Sequence, residues 1–260
     1  MAIAPLSTVL ARHSAGFHSV VPFDPGKDLL YPFDFTAANT SLRADDIADT
    51  ERFANYINRT LRANNARYGI GGYNEHRTLY ARSKHFDSSL QTGGSESPRS
   101  AVRPGSDPGS TSPNAEEPRR LHLGVDIWGP AGTPVMSPMD GIIHSFAFNN
   151  NDSDYGATII LTHHLDGVSL HTLYGHMSLN SLKNLEEGRR IRRGEVIAEF
   201  GMRFENGNWP PHLHFQVIAD MQGWKGDYPG VCRYSERQQW LDNCPDPDMI
   251  LGMVRLAPAL

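Results

Sequence analysis

Apolar and polar positions follow two different rhythms along this chain. Between Asp49 and Gly69 the apolar residues Phe53, Tyr56, Ile57 and Leu61 fall at i, i+3, i+4 and i+8, the spacing of one helical face. Asp49 or Thr50 is placed to cap such a helix, and Glu51 sits where the helix dipole favours an acid. The pattern predicts a helix ending near Gly69, with Gly71-Gly72 beyond it and its apolar stripe packed against the next domain. Residues 1–42 show no clear period, and Pro22-Phe23-Asp24-Pro25-Gly26 is turn chemistry. After Arg119 the rhythm shortens. Apolar runs at Leu121–Ile127, Val135–Met136, Gly141–Phe148 and Ala157–Thr162 read as strands, as do Ser169–Tyr174, Arg190–Ile191, Glu195–Phe200 and Leu213–Ala219. Asp140-Gly141, Asp166-Gly167 and Arg193-Gly194 are hairpin-type dipeptides between them. No long helix intervenes before Ser235–Leu241. Short strands joined by glycine turns predict a mainly β fold, an antiparallel sandwich or barrel, with a small helical N-terminal extension.

Composition adds a division of the chain. Of the 28 positions in 91–118, 15 are Gly, Ser or Pro and none is aromatic, so this stretch cannot bury enough apolar surface to offset its ordering entropy. It is expected to be a disordered insertion between an N-terminal extension (1–90, with one amphipathic helix) and a strand-rich domain (119–220), followed by a C-terminal extension (221–260). Hydrophobic residues at 39% and charged residues at 20% of 260 positions are ordinary globular values. A net charge of −5 lacks the basic excess of a nucleic-acid binder. No apolar run reaches the ~18 residues of a membrane span. Met1–Ala11 is apolar but has no Lys or Arg and carries Pro5, so it does not read as a signal peptide. The expectation is a cytoplasmic protein, with export to the cell envelope as the alternative. Cys232 and Cys244 exclude a disulfide scaffold and read as buried small hydrophobes.

Histidine changes the picture most. Eight of the 12 lie between His122 and His214. In His212-Leu213-His214, residues i and i+2 of a strand share a face, and Pro210-Pro211 fits a strand start where no ladder donor is needed. Alone, such a pair reads as two polar residues on a solvated strand. His122 and Asp126, four apart, also share a face in a strand or helical turn, and Gly124 between them lets a backbone or ligand approach. One carboxylate and two imidazoles are a common Zn²⁺ set, and catalytic zinc takes three protein ligands and keeps a position for water. Tyr174-Gly175-His176 adds an imidazole at a strand end. Amide hydrolysis at such a centre needs a base and donors for the oxyanion. No His-Glu-x-x-His helix supplies a glutamate, so spare histidines are the groups available.

Residues 121–218 resemble the lysostaphin-type zinc metallopeptidases, the LytM-like endopeptidases of bacterial peptidoglycan. The runs HLGVDIWGPAGTPVMSPMDGIIH, TLYGHMS, GRRIRRGEVIAEFG and PPHLHFQV carry the resemblance, in order, over about a hundred residues. It implies an antiparallel sandwich built from a duplicated hybrid motif, with the site in an open groove. It implies zinc ligands at His122, Asp126 and His214, and catalytic histidines at His176 and His212. Degenerate relatives that act only as activators lack zinc ligands; with all five positions filled, an enzyme is implied. His144, His163, His164 and His171 match no catalytic position. Some relatives hold zinc latent through an upstream Asn, for which Asn74 is the loop residue to inspect.

The expected activity is zinc-dependent hydrolysis of peptide bonds in peptidoglycan or related peptides, with Zn²⁺ as cofactor and a peptide or peptidoglycan as partner. Three other readings are compatible with the chain. One is a zinc-bearing module that binds wall peptides without turnover. Another is a cytosolic zinc hydrolase of a different small amide. The third is a lipoyl- or sugar-phosphotransfer-like carrier, which would need a lone exposed Lys or His at a hairpin tip.

Overall fold

A computed structural model describes residues 4–87 and 117–259. The strands are β1 (Leu29–Phe33), β2 (Ala66–Gly71), β3 (Leu121–His122), β4 (Val125–Trp128), β5 (Pro134–Met136) and β6 (Gly141–Asn149). They continue as β7 (Gly156–Leu165), β8 (Val168–Met177), β9 (Arg190–Ile191), β10 (Val196–Glu199), β11 (His212–Ile218) and β12 (Val231–Cys232). The helices are short: α1 (Leu6–His13), α2 (Ala44–Ala48), α3 (Thr50–Ala63), α4 (Arg237–Asn243) and α5 (Asp248–Leu251). No described helix is long and apolar enough to cross a membrane.

The main sheet has eight strands in the order β1-β2-β4-β11-β8-β7-β6-β9. Its pairs are antiparallel except β1 with β2, which run parallel. Two small ladders, β5–β10 and β3–β12, complete the β structure. The N-terminal region is therefore not helical alone. It supplies two strands to the main sheet, and β2 pairs directly with β4. These strands fall where the sequence has no regular alternation, or where the helical pattern was expected to run on.

Helix α3 starts as its sequence predicts, with the Asp49 carboxylate accepting from the amides of Glu51 and Arg52. It stops at Ala63 and not near Gly69. Asn64 and Asn65 end it, with Asn65 in the left-handed region at φ 49°, and Ala66–Gly71 then extends as β2. Asn adopts that conformation at low cost, so the pair is a stop signal. The stripe Phe53, Ile57 and Leu61 packs against Phe33, Phe35 and Trp128. Helix α4 lies where the Ser235–Leu241 pattern placed one.

Of the three hairpin-type dipeptides, only Asp166-Gly167 joins two paired strands. Leu165 faces Val168, and both turn residues have positive φ (50° and 79°), as a two-residue primed turn requires. Asp140-Gly141 and Arg193-Gly194 instead lie between strands that go to different ladders. β5 and β10 pair with each other, while β6 and β9 join the main sheet. The β5–β10 ladder lays Val135, Ile197 and Ala198 onto the main core, so tertiary burial decides the partner. All but the last two residues of the 91–118 stretch lie outside the described residues. Cys232 and Cys244 are buried and free, as expected.

The alternation of β11 positions the site. Leu213, Phe215 and Val217 belong to the largest apolar cluster. His212, His214 and Gln216 take the opposite face. Burying three such side chains contributes about 1.5–3 kcal/mol each. A one-residue slip would drive two imidazoles into that core, which fixes the register.

Candidate active site

Cross-strand pairing brings the first groups together. His214 on β11 faces Asp126 on β4, and His212 faces Trp128 two residues along. His122 is not on the same continuous strand as Asp126. The chain breaks at Leu123–Gly124, where the Leu123 amide bonds to the Gly230 carbonyl, and His122 reaches the site from the short β3–β12 ladder. Gly124 permits this. A Cβ there would lie 2.6 Å from the His214 ring.

The three side chains are nearly inaccessible, at 0%, 3% and 3% exposure for His122, Asp126 and His214. Their facing atoms form a small triangle. His122 Nε2 to His214 Nδ1 is 3.0 Å, His122 Nε2 to Asp126 Oδ1 is 3.2 Å, and His214 Nδ1 to Asp126 Oδ1 is 3.1 Å. The far nitrogens fix the tautomers. His122 Nδ1 donates to the Gly72 carbonyl at 3.0 Å, so its Nε2 carries a bare lone pair when the ring is neutral. His214 Nε2 donates to Gln216 Oε1 at 3.0 Å, and the Gln216 amide is held in that sense by donating to Pro229 O at 3.1 Å. His214 Nδ1 is then bare as well. Two lone pairs and a carboxylate oxygen thus converge on one point with no donor between them. Ligands 2.0–2.1 Å from a tetrahedral metal stand roughly 3.3 Å apart, so the triangle fits such an ion.

Electrostatics agree. Burial, and then the Arg77 charge, push His122 down to about 3, so the ring is neutral and able to ligate. Burial opposes ionisation of Asp126, but the pull of His122 and Arg77 outweighs it and holds the carboxyl well below its ordinary value. The Arg77 guanidinium is fully buried and pairs with Asp126 Oδ2. Oδ2 is thereby occupied, and Oδ1 is the oxygen left for an ion.

A second pair of imidazoles stands beside the triangle. His176 and His212 stack with centroids 4.1 Å apart and planes at 28°. His176 Nδ1 donates to Asn206 O and His212 Nδ1 to Pro210 O, both at 2.8 Å. Each neutral ring therefore presents Nε2 as a lone pair, and neither Nε2 has a hydrogen-bond partner among the described residues. Trp128 lies flat on His212, 3.9 Å away at 11°. Burial and the neighbouring His212 hold His176 well below the ordinary histidine range, and burial pushes His212 down to about 4. His176 sits at φ 67°, a left-handed conformation that costs on the order of 1 kcal/mol or more for a non-glycine residue. With Gly175 it lies within the register shift between the pairs Ile159–Tyr174 and Ala157–Met177.

Asp126, His214, His176 and His212 line a cleft of about 380 Å³ walled by Tyr80, Trp128, Tyr155, Trp209 and Asp227, with His122 buried behind them. Burial, with Asp154 nearby, raises the Asp227 carboxyl to about 7. All five residues singled out by sequence thus meet in one place. Asn74 does not join them: its Oδ1 accepts from Arg237 at 2.8 Å. His163 and His171 lie farther along the sheet on β7 and β8, with His144 on β6. Sequence reasoning passed over Arg77, Gln216 and Tyr155. Gln216 had a signal, since it continues the i, i+2 alternation of His212 and His214.

Residues 120–225 match the family model for peptidase family M23. The DD-carboxypeptidase/endopeptidase Mpg of Neisseria meningitidis is 36% identical over 103 residues, covering 40% of this chain and 21% of that protein. The peptidoglycan DD-endopeptidase ShyC of Vibrio cholerae is 25% identical over 101 residues, covering 39% of this chain and 21% of that protein. The chain thus spans about a fifth of the length of these curated relatives. Among solved structures, the antimicrobial peptidase lysostaphin from Staphylococcus simulans is similar at 26% identity and a TM-score of 0.35, over 54% of this chain and 47% of that one.

Proposed function

We propose that the peptidase family M23 domain at residues 120–225 makes this chain a zinc-dependent endopeptidase that hydrolyses peptide bonds of peptidoglycan or of related peptides. The observation that carries the reading is the convergence of three electron-pair donors with no proton donor among them. The similarity to ShyC, a peptidoglycan DD-endopeptidase, supports peptidoglycan as the substrate class.

In this reading His122 Nε2, Asp126 Oδ1 and His214 Nδ1 hold Zn²⁺. When bound, zinc supplies Lewis acidity, which polarises a carbonyl and makes water nucleophilic near neutral pH. His176 and His212 handle the proton. Their Nδ1–H groups are anchored to carbonyls, so each works through Nε2, which faces no protein partner. Stacked at 4.1 Å, the two rings do not hold two positive charges at once. One neutral ring accepts the proton of the attacking water at Nε2 and, now carrying an Nε2–H, passes it on to the developing oxyanion or the leaving amine, while the other ring stays neutral. The face of Trp128 on His212 favours positive charge on that ring, which makes His212 the acceptor.

The test combines metal analysis with digestion of purified cell wall and of defined stem and bridge peptides. The expected result is about one zinc per chain and chelator-sensitive release of new amino termini. Stoichiometric zinc without cleavage of any of these substrates would contradict the assignment as a peptidase.

A further inference from the structure

The segment before β3 lies outside the residues matched to the family, yet it is tied to the metal triangle at several points. The backbone of 74–77 is laced to that of 120–122. The Asn74 amide donates to His122 O, the His122 amide to Glu75 O and the Arg77 amide to Arg120 O, at 2.9–3.0 Å. From this segment the Gly72 carbonyl holds His122 Nδ1, and Arg77 holds Asp126. The two supports are joined, because Arg77 Nη2 donates to the same Gly72 carbonyl at 3.3 Å. Glu75 pairs with Arg77 Nε on the far side, and Tyr80 OH lies 3.4 Å from Nη1. Gly71 leaves room for the guanidinium: a Cβ there would lie 2.6 Å from Nη2.

We infer that Arg77 is a positioning residue of the metal centre, fixing Asp126 in single-oxygen ligation and bracing the carbonyl that orients His122. The inference rests on the zinc reading above. A carboxylate rotates about its last bond and can offer one oxygen or two. With Oδ2 held by Arg77, rotation is blocked and Oδ1 alone points at His122 and His214. The guanidinium does this as a planar fork bridging Asp126, Glu75 and Gly72 O, which an ammonium cannot copy. Partners that orient metal ligands typically change metal affinity 10–100-fold when removed.

The experiment uses the full chain, zinc affinity by competition with a chromophoric chelator, and the visible spectrum of the cobalt-substituted protein as a readout of coordination. Arg77→Lys keeps a cation but loses the fork. It should bind zinc about 10–100-fold more weakly, with an altered cobalt spectrum and unchanged circular dichroism. A merely structural role would lower the melting temperature and leave the affinity and spectrum of the folded protein unmoved, and that result overturns the inference. Should Arg77→Lys fail to fold, Gly71→Ala, whose Cβ displaces Nη2, must move both readouts in the same direction; unmoved readouts overturn it. A wild-type chain that holds no zinc overturns the peptidase reading and this inference together. Wild-type zinc binding with unmoved variants overturns this inference alone.

Discussion

Two groups of buried histidines, one where β11 and β4 meet the short β3–β12 ladder and one on β7, differ in one respect. At the site, His122, Asp126 and His214 are buried. Farther along, His163 is just as buried, with Nδ1 donating to Asp140 O at 2.9 Å and Nε2 2.7 Å from Thr172 Oγ1. The parallels go further. Burial depresses both His122 and His163, the first to about 3 and the second to about 4. Each cluster has a glycine pressed on an imidazole: Gly124 on His214 and Gly141 on His163, where a Cβ would come within 2.6 Å. Neither burial, nor a shifted pKa, nor close glycine packing therefore marks a ligand. The difference is that both nitrogens of His163 are satisfied by the protein, whereas His122 and His214 each spend one nitrogen on the protein and aim the other at a shared point. A closed network leaves no lone pair for a ligand, whereas the open one leaves the donor atoms that the proposed zinc reading needs.

The largest effect should come from Asp126→Ala. Removing one of three ligands should abolish zinc retention through gel filtration and, with it, hydrolysis. It also leaves Arg77 buried without its main partner, so unfolding in denaturant should show a loss of about 3–5 kcal/mol. Next are His176→Ala and His212→Ala, each expected to keep zinc and to lower turnover by ~10²–10⁴-fold. Metal content measured beside turnover separates these outcomes. Equal zinc loss in both variants would erase the distinction between ligand and proton carrier. His163→Ala should do the reverse of Asp126→Ala. It should retain zinc and turnover while losing roughly 1–3 kcal/mol, because Thr172 and the Asp140 carbonyl lose their partner.

The smallest effect concerns pH. In the metal-free chain His122, His163 and His212 have depressed values, near 3, 4 and 4. An unfolded histidine titrates near 6.5, so between that pH and about 4 the unfolded state binds protons that the folded state refuses. Stability is then complete above about pH 6.5 and falls as pH drops toward 4, by up to about 1.4 kcal/mol per pH unit per group. His163→Ala should make that slope shallower by about one proton in a denaturant series across this range. An unchanged slope would mean that His163 is protonated in the fold and that the two clusters differ more than their geometry shows.

How much of this was legible in the sequence depended on period. The alternation through β11 revealed the shared face of His212 and His214, and family-like runs placed His122, Asp126 and His176 beside them. Arg77 and Glu75 lie in a loop without period, and what they do follows from pairing between 74–77 and 120–122, which no local pattern encodes. β1 and β2 escaped notice for a related reason. Their burial depends on α3 and β4, and in β2 that burial is continuous over Tyr68–Gly71, with no alternating pattern to read. Asp140-Gly141 and Arg193-Gly194 marked changes of direction correctly but not the partners, because apolar burial of β5 and β10 chose those.

The central claim is that the ligands are His122, Asp126 and His214, and that His212, two residues from a ligand on the same strand face, is not one. Zinc stoichiometry by native mass spectrometry on His214→Ala and His212→Ala tests it directly. The account predicts that His214→Ala emerges without zinc and His212→Ala with about one ion per chain. Zinc retained by His214→Ala and lost from His212→Ala would contradict it.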